Sequence, residues 1–576
     1  MKLFGSILVL LLICGAATAQ QHESQSSAKP VTLMPGLGNL HHPVTTSNPQ
    51  AQEFFDQGLR LIYAFNHEEA ARSFQHAAEL DPSLAMAYWG VAESLGPNYN
   101  DPDSDDARFQ QGYQAIQKAV ALAPKATLGE QAYIQAMAQR FPADPKADRR
   151  KAGEIYRDSM REVVKRFPDD LDAATLFAES SMDLNAWALW HSDGTAAPGT
   201  DEIIATLESV IRRDPNHMGA VHYYIHAVEA SPNPERALAG ANQLASLAPA
   251  AGHLVHMPAH IYVRTGDFDA AVKTNQQAAA ADRAYIQASG AQGVYPLMYY
   301  SHNLHFIAMA ASMDGDYVAA SSASAMLAAH VGPAVKNMPP LESFMIVPIA
   351  VEIRFHKWDK ILQLPQPDPA MKAATFYWHF ARGMALAGEG KTAEAEAEYK
   401  IVADTERQTS PDEIFDPPVN NKVKDIRKIA ENVLAGKIAL AKQDAASAAA
   451  RLSEAIAVQD SLNYSEPPDW FFPVRESLGA VLLRSGKAAD AEKVFRADLA
   501  RNPRNPRSLF GLCEALKAQN ETYDAQFVDK EFQAGWKGTD TVTLSATFTP
   551  TDITNYSTDT ASGAWTVKKL RLDDLM

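Results

Sequence analysis

Cysteine is almost missing from this chain: its 576 residues hold two, Cys14 and Cys513. No CxxC pair exists, so a thiolate metal site or a dithiol redox couple is excluded, and stability must come from packing rather than disulfides. Basic runs are absent as well. The formal charge is −17 and no Lys/Arg stripe interrupts it, which excludes nucleic acid as a partner. Long apolar runs are missing too. The one at the start, Ile7 to Ile13, falls short of the roughly 20 residues a membrane span needs. With Lys2 before it and Ala17-Thr18-Ala19 after it, this run reads as an export signal over residues 1–19. Ile13 stands where a lipid anchor on Cys14 would want a small residue. The expected location is periplasmic or secreted, with no stable membrane span after signal cleavage.

Catalytic signatures are scarce. There is no phosphate loop and no GxSxG. His67-Glu68-Glu69-Ala70-Ala71 begins like HExxH but lacks the second His. The acidic loop Asn98 to Asp106 fails as a calcium loop, because Asp106 stands where the sharp-turn glycine is needed and Gly112 where the bidentate Glu is needed.

What is present is helical. Residues 20–48, rich in Gln, Ser, Pro and Thr, show no helical period and read as a flexible leader. From Asn48 onward the chain becomes Ala-rich amphipathic pairs. Gly58, Ala70, Phe74 and Pro82 recur in kind as Gly383, Gly390, Ala395 and Tyr399, and as Gly479, Gly486, Ala491 and Phe495. Partial copies occur at Tyr262, Gly266, Ala271 and at Gly315, Ala320. The small residues let two helices approach, the aromatic fills the space between them, and the proline ends the second helix. This 34-residue frame resembles the tetratricopeptide repeat (TPR), in the form of an exported bacterial protein. The resemblance implies an all-α, TPR-like α-solenoid over residues 49–535, a fold that mostly serves as a binding scaffold. Connectors at Ser192–Thr200, Leu362–Ala370 and Thr405–Asn421 make the array irregular. Residues 536–576 form a C-terminal tail. Within it Thr541–Val567 alternates Thr and Ser with apolar residues, a strand pattern similar to a fragment of an immunoglobulin-like repeat.

Eight of the seventeen histidines fall between His217 and Ser312, where an even spread would put about three. His222 and His226 are four apart, as are His256 and His260. His253 and His256 are three apart, as are His302 and His305. Either spacing puts a pair on one helix face. In the repeat frame these seven take positions 2, 5 and 9 of three successive first helices, and the resemblance implies that those positions line a concave groove. His217 precedes its helix and falls outside the set. Glu93 and Glu179 occupy position 9 of upstream units, Met309 takes position 9 of the unit that carries His302 and His305, and Arg264 stands beside the cluster at position 13.

Imidazole and carboxylate are ligands of zinc, copper and non-haem iron. His222, His226, His256 and His260 form the expected central set, with His253, His302 or His305 completing it and Glu179 closing or orienting it. Seven histidines exceed what one ion needs, so a two-metal site is open. Zinc needs nothing further; Met309, Met257 and nearby tyrosines add donors that copper accepts; iron fits less well. Three functions remain open: an exported interaction scaffold with a transition metal in its groove; a metal-dependent enzyme, either a copper or iron oxidase or a zinc hydrolase, with Glu179 or Glu93 moving protons; and a metal-free scaffold whose groove takes a protein or peptide, with Arg264 fixing an anionic group or pairing with Asp267. Trp89, Trp187 and Trp190 read as packing between helices.

Overall fold

The computed structural model describes residues 29–102, 105–144, 146–416, 419–538 and 572–576. The expected export signal over residues 1–19, residues 20–28 of the expected leader and the strand-patterned stretch of the tail lie outside the described residues.

The order of helices is regular at first: α1 (Pro49–Ile62), α2 (His67–Leu80), α3 (Ala85–Leu95), α4 (Asp106–Leu122), α5 (Leu128–Arg140), α6 (Arg149–Arg166), α7 (Leu171–Asp183), α8 (Thr200–Arg213), α9 (Met218–Glu229) and α10 (Leu238–Leu247). The unit that follows has a broken first helix. α11 (Gly252–His256) and α12 (Pro258–Thr265) meet at Met257, because Pro258 cannot donate to the preceding turn. Then come α13 (Phe268–Ser289), α14 (Tyr300–Asp314), α15 (Tyr317–Val331), α16 (Glu342–Met345), α17 (Val347–Arg354), α18 (Trp358–Gln363), α19 (Lys372–Gly388), α20 (Thr392–Gln408), α21 (Val423–Ala441), α22 (Ala445–Ser461), α23 (Val474–Arg484), α24 (Ala488–Arg501), α25 (Pro506–Ala518) and α26 (Thr522–Gly535). Two short antiparallel strands, β1 (Ile414–Asp416) and β2 (Asn421–Lys422), pair Ile414 with Lys422 inside the connector before α21.

Side chains start the helices where the sequence supplies acceptors. Asn48, Asn66, Asp267 and Asp316 each accept a backbone N–H of the first turn they cap. Successive pairs pack through one wedge. A Cβ on Gly58 would come within 2.6 Å of the Phe74 ring, and Gly90 of the next first helix faces the same ring. Gly479, Gly511 and Phe495 repeat this geometry near the C-terminus, Gly479 leaving 2.5 Å. An aromatic ring thus sits between two bare backbones, which is the packing that defines a TPR-like solenoid.

The array does not run straight. Gly266 and Gly315 hold the left-handed turns after α12 and α14, at φ 77° and 92°. A side chain at either would collide, with the Pro503 carbonyl and with Trp536 respectively. The C-terminal units therefore fold back onto the middle ones. Arg354 at the end of α17 pairs with both carboxylate oxygens of Glu476 on α23, at 2.5 and 2.9 Å. The backbone N–H of Lys537 reaches the Asp314 carbonyl at 2.7 Å.

Residues 29–48 correct the flexible-leader expectation. They form an extended strap that touches the array from α1 to the end of α13. Met34 N–H donates to Gln57 at 2.7 Å, Ala250 N–H to the Gly36 carbonyl at 3.0 Å, and Arg60 Nε to the Leu40 carbonyl at 2.7 Å. His41 contacts Asp56, His42 contacts Asp172 and Thr45 N–H donates to Glu130. Polar composition excluded a helix here, but an extended backbone can still be satisfied by the array's own side chains.

Candidate metal centre

Six of the seven predicted histidines converge, on α9, α11, α12 and α14. Their ring nitrogens form two trios, His222 with His226 and His253, and His256 with His260 and His302. Within each trio one nitrogen per residue lies within 4.8 Å of the others. The trios adjoin: the His226 and His260 ring centroids are 5.7 Å apart, as are those of His253 and His256.

The far nitrogens are held. His222 Nδ1 lies 2.7 Å from the Tyr63 carbonyl, His226 Nδ1 2.7 Å from Glu229 Oε1, and His256 Nδ1 2.7 Å from Asn275 Oδ1. His260 Nδ1 sits against Glu229 Oε2. Asn275 is itself oriented, since its amide donates to the Ala271 carbonyl at 2.8 Å. All four partners are acceptors, so each Nδ1 carries a proton; Nε2 keeps its lone pair on the rings that stay neutral, while His260, paired with Glu229, can carry a second proton there. The Nε2 atoms then face one another: His256 and His260 at 2.8 Å, His222 and His253 at 3.1 Å. His226 Nε2 is buried with no hydrogen-bond partner among the described residues.

Burial sets the charge state. Desolvation and then the neighbouring histidines push the imidazoliums of His222, His253, His256 and His302 well below their usual range. Burial also opposes a charge on His260, but Glu229 and Glu466 raise it. Glu229 has burial against it, yet His260 and His226 hold its carboxyl down at about 2. Phe65 packs against the first trio, its ring centroid 4.5 Å from that of His222, with its backbone in the left-handed region at φ 52°. That costs of order 1–3 kcal/mol, and such conformations cluster at functional sites.

Several predicted residues stand elsewhere. His305 points away, its ring between Phe344 and Phe471, and burial pushes its pKa down to about 3. Glu93 and Glu179 do not close the site. They are buried with Asp183 around a single cation, Arg140, which donates to Glu93 at 3.2 Å and to Asp183 at 2.8 Å. Burial, then Asp183 and Glu93, push the Glu179 carboxyl well up. Arg264 does not pair with Asp267; it donates to the carbonyls of Glu229 and Ser231, tying down the end of α9. Asp267 caps α13 instead. Met309 is buried along a cavity beside the second trio. His217, left out of the set, caps α9. Trp89 is buried packing, and Trp190 donates to the Ala227 carbonyl.

The acids that do reach the histidines are Glu229 and Glu466. Glu229 lies three residues past His226 on the same helix face, a spacing that could have been read. Glu466 arrives on the loop between α22 and α23, with its Oε2 3.7 Å from His260 Nδ1. The same loop brings Tyr464 to Glu229 at 3.5 Å and Phe471 onto His305. Asn421 fixes the loop by bonding Asn463 and Asp469 at 2.8–3.0 Å. Over the histidines, the chain fills its own groove.

Fold and geometry define a class: an all-α, TPR-like solenoid enclosing two adjoining histidine trios. No family model matches the chain, and no curated protein matches its sequence. Solved structures similar to it include a human IFIT1 dimer with PPP-AAAA, 13% identical over 83% of this chain and 88% of that one, at a TM-score of 0.31. Yeast Tom70 is 8% identical over 84% and 93%, at 0.28. The P58(IPK) TPR domain is 11% identical over 82% and 99%, at 0.21. Scores this low carry no argument about the site; the helix-pair architecture stands on the packing described above. Among the described residues, no helix is long and apolar enough to cross a membrane.

Proposed function

We propose that this protein is an exported, metal-binding TPR-like scaffold whose two histidine trios each hold one transition-metal ion. One observation carries the reading. His256 Nδ1 is committed to Asn275 and His260 Nδ1 lies against the Glu229 carboxylate, yet their Nε2 atoms lie 2.8 Å apart. Two lone pairs at that distance repel unless a cation sits against both. In the metal-free protein a proton on His260, whose pKa Glu229 and Glu466 raise, would serve as that cation; with metal, two imidazoles on one tetrahedral ion at 2.0–2.1 Å stand roughly 3.3 Å apart. Committed Nδ1 groups are also what a metal's imidazole ligands have. His222, His226 and His253 would hold one ion; His256, His260 and His302 the other. Three imidazoles suit zinc and copper, and iron less well.

Elemental analysis after expression with zinc or with copper tests this. Two ions per chain are expected, falling to one in the His256→Ala, His260→Ala double variant with helicity unchanged. A metal-free wild-type protein after supplemented expression would end every metal reading and leave a protein- or peptide-binding scaffold. Such a partner would have to dock away from the histidines, where the α22–α23 loop already lies.

A metal-dependent enzyme is the second reading, favoured by the cavity that reaches Glu466 beside His260. Bound there, an ion would supply Lewis acidity or, as copper or iron, electron transfer. Glu466, rather than Glu93 or Glu179, stands where a proton can be moved. Turnover of a substrate, absent in the double variant, separates this from the scaffold.

A further inference from the structure

A cavity of about 510 Å³ opens beside the second trio, between α12–α14 and the α22–α23 loop. Its size is that of a small organic ligand's pocket, which spans about 300–1,000 Å³. Phe268, Met309, Met313 and Phe471 give it an apolar wall. Its charged groups are committed elsewhere. Asp460 pairs with Arg475 and Arg501, Asp469 accepts from Asn421, Asp498 accepts from Ser508, and Asp193 accepts from Thr195. Arg264 is spent on backbone carbonyls. Most of the charged groups on the wall thus already have partners, which favours a neutral ligand. Two polar groups on the wall remain unanswered. Glu466 is buried, its side chain 5% exposed, and its Oε2 has no hydrogen-bond partner; Trp470 Nε1 is buried without one too. An orphaned buried polar group is costly, so a ligand that answers it gains specificity.

We propose that this cavity binds a neutral aromatic hydroxyl compound, its ring against the apolar wall and its O–H donated to Glu466. A hydroxyl can donate to the Glu466 carboxylate, which an ether of the same shape cannot do. The pocket goes beyond the metal reading and does not depend on it.

The test titrates the full-length, metal-supplemented protein calorimetrically with 4-methylphenol and with 4-methylanisole. The phenol is expected to bind at least tenfold more tightly than the ether. Glu466→Leu should bring the phenol down to the ether's affinity, with helicity unchanged. Glu466→Gln, which keeps an acceptor, should stay within about threefold of wild type. Equal binding of phenol and ether, absence of binding, or a Glu466→Leu variant that binds like wild type would overturn the proposal. Phenol discrimination in a protein that proves metal-free would sink the metal reading and leave the pocket standing. Two bound ions with no discrimination would do the reverse.

Discussion

Asn275 and Glu229 do the same work for neighbouring rings, one neutral and one charged. Asn275 Oδ1 fixes the tautomer of His256 at 2.7 Å; Glu229 fixes His226 and His260 together, one oxygen each. Groups in this position typically alter metal affinity 10- to 100-fold. Asn275→Leu is therefore expected to weaken the second ion by about one to two orders of magnitude and to spare the first. Competition with a chromogenic chelator reads both steps, and an unchanged second step would make the amide incidental. The histidines of this centre were legible because helical spacing and the repeat frame are both periodic. Their partners were legible only in part. His305 follows His302 by three residues, so the two diverge by roughly 60° around the helix. At the end of an imidazole that is enough to turn one ring to His256 and the other to Phe344. Glu466 lies 206 positions beyond His260, in a loop with no period at all.

The unit of the array is a pair of helices wedged by one ring. Phe74 and Phe495 fill equivalent spaces between glycines, and both are fully buried. Truncating such a ring leaves a cavity its glycine neighbours cannot fill, so Phe495→Ala should cost about 3–5 kcal/mol in urea unfolding. A loss below about 1 kcal/mol would mean that the backbones collapse together. This element was readable, since Gly, Ala and an aromatic at fixed spacing have a steric cause. The strap was not, because its register is set by Asp56, Glu130 and Asp172 of the array rather than by its own pattern. Its chief anchor titrates. Burial would lower the His42 pKa, but the bond to Asp172, with Asp170 and Asp56 nearby, raises it. Burial would raise Asp172, but His217 and His42 hold it well below the carboxylate range. The Asp172 contribution is present above its unfolded pKa of about 4 and fades in stronger acid. That of His42 is complete below about pH 6.5 and is lost as pH rises through its raised pKa. Protease nicking within residues 29–48 should therefore be slowest between about pH 4 and 6.5 and quicken in mild alkali. His42→Gln should flatten the alkaline limb; a wild-type profile already flat there would refute the anchor.

At the scale of the whole molecule, a repeat array is stabilised by neighbours and unfolds in pieces when one interface fails. Here the last units also touch the middle ones, so the chain has interfaces a plain ladder lacks. The tie is ionic. Arg354 and Glu476 are each nearly sealed from water, at 4% and 3% exposure, and Asn505 donates to Glu476 at 2.8 Å. Arg354 also donates to the Ser312 carbonyl on α14, and Arg507 to that of Arg354. Removing one partner strands a buried charge, which typically costs about 3–5 kcal/mol, whereas replacing both with apolar residues can be neutral. Arg354→Ala should thus lower stability by that amount, and Arg354→Leu with Glu476→Leu should recover most of it. The consequence reaches the centre, because α23 follows the loop that carries Tyr464 and Glu466. With the tie broken that loop loses its downstream anchor, and bound metal should pass to an external chelator faster in Arg354→Ala than in wild type, even where equilibrium metal content is the same. Stopped-flow transfer to the chelator measures this directly. Equal rates in the two proteins would mean that Asn421 alone holds the loop, and that folding back of the C-terminal units stabilises the array without guarding its histidines.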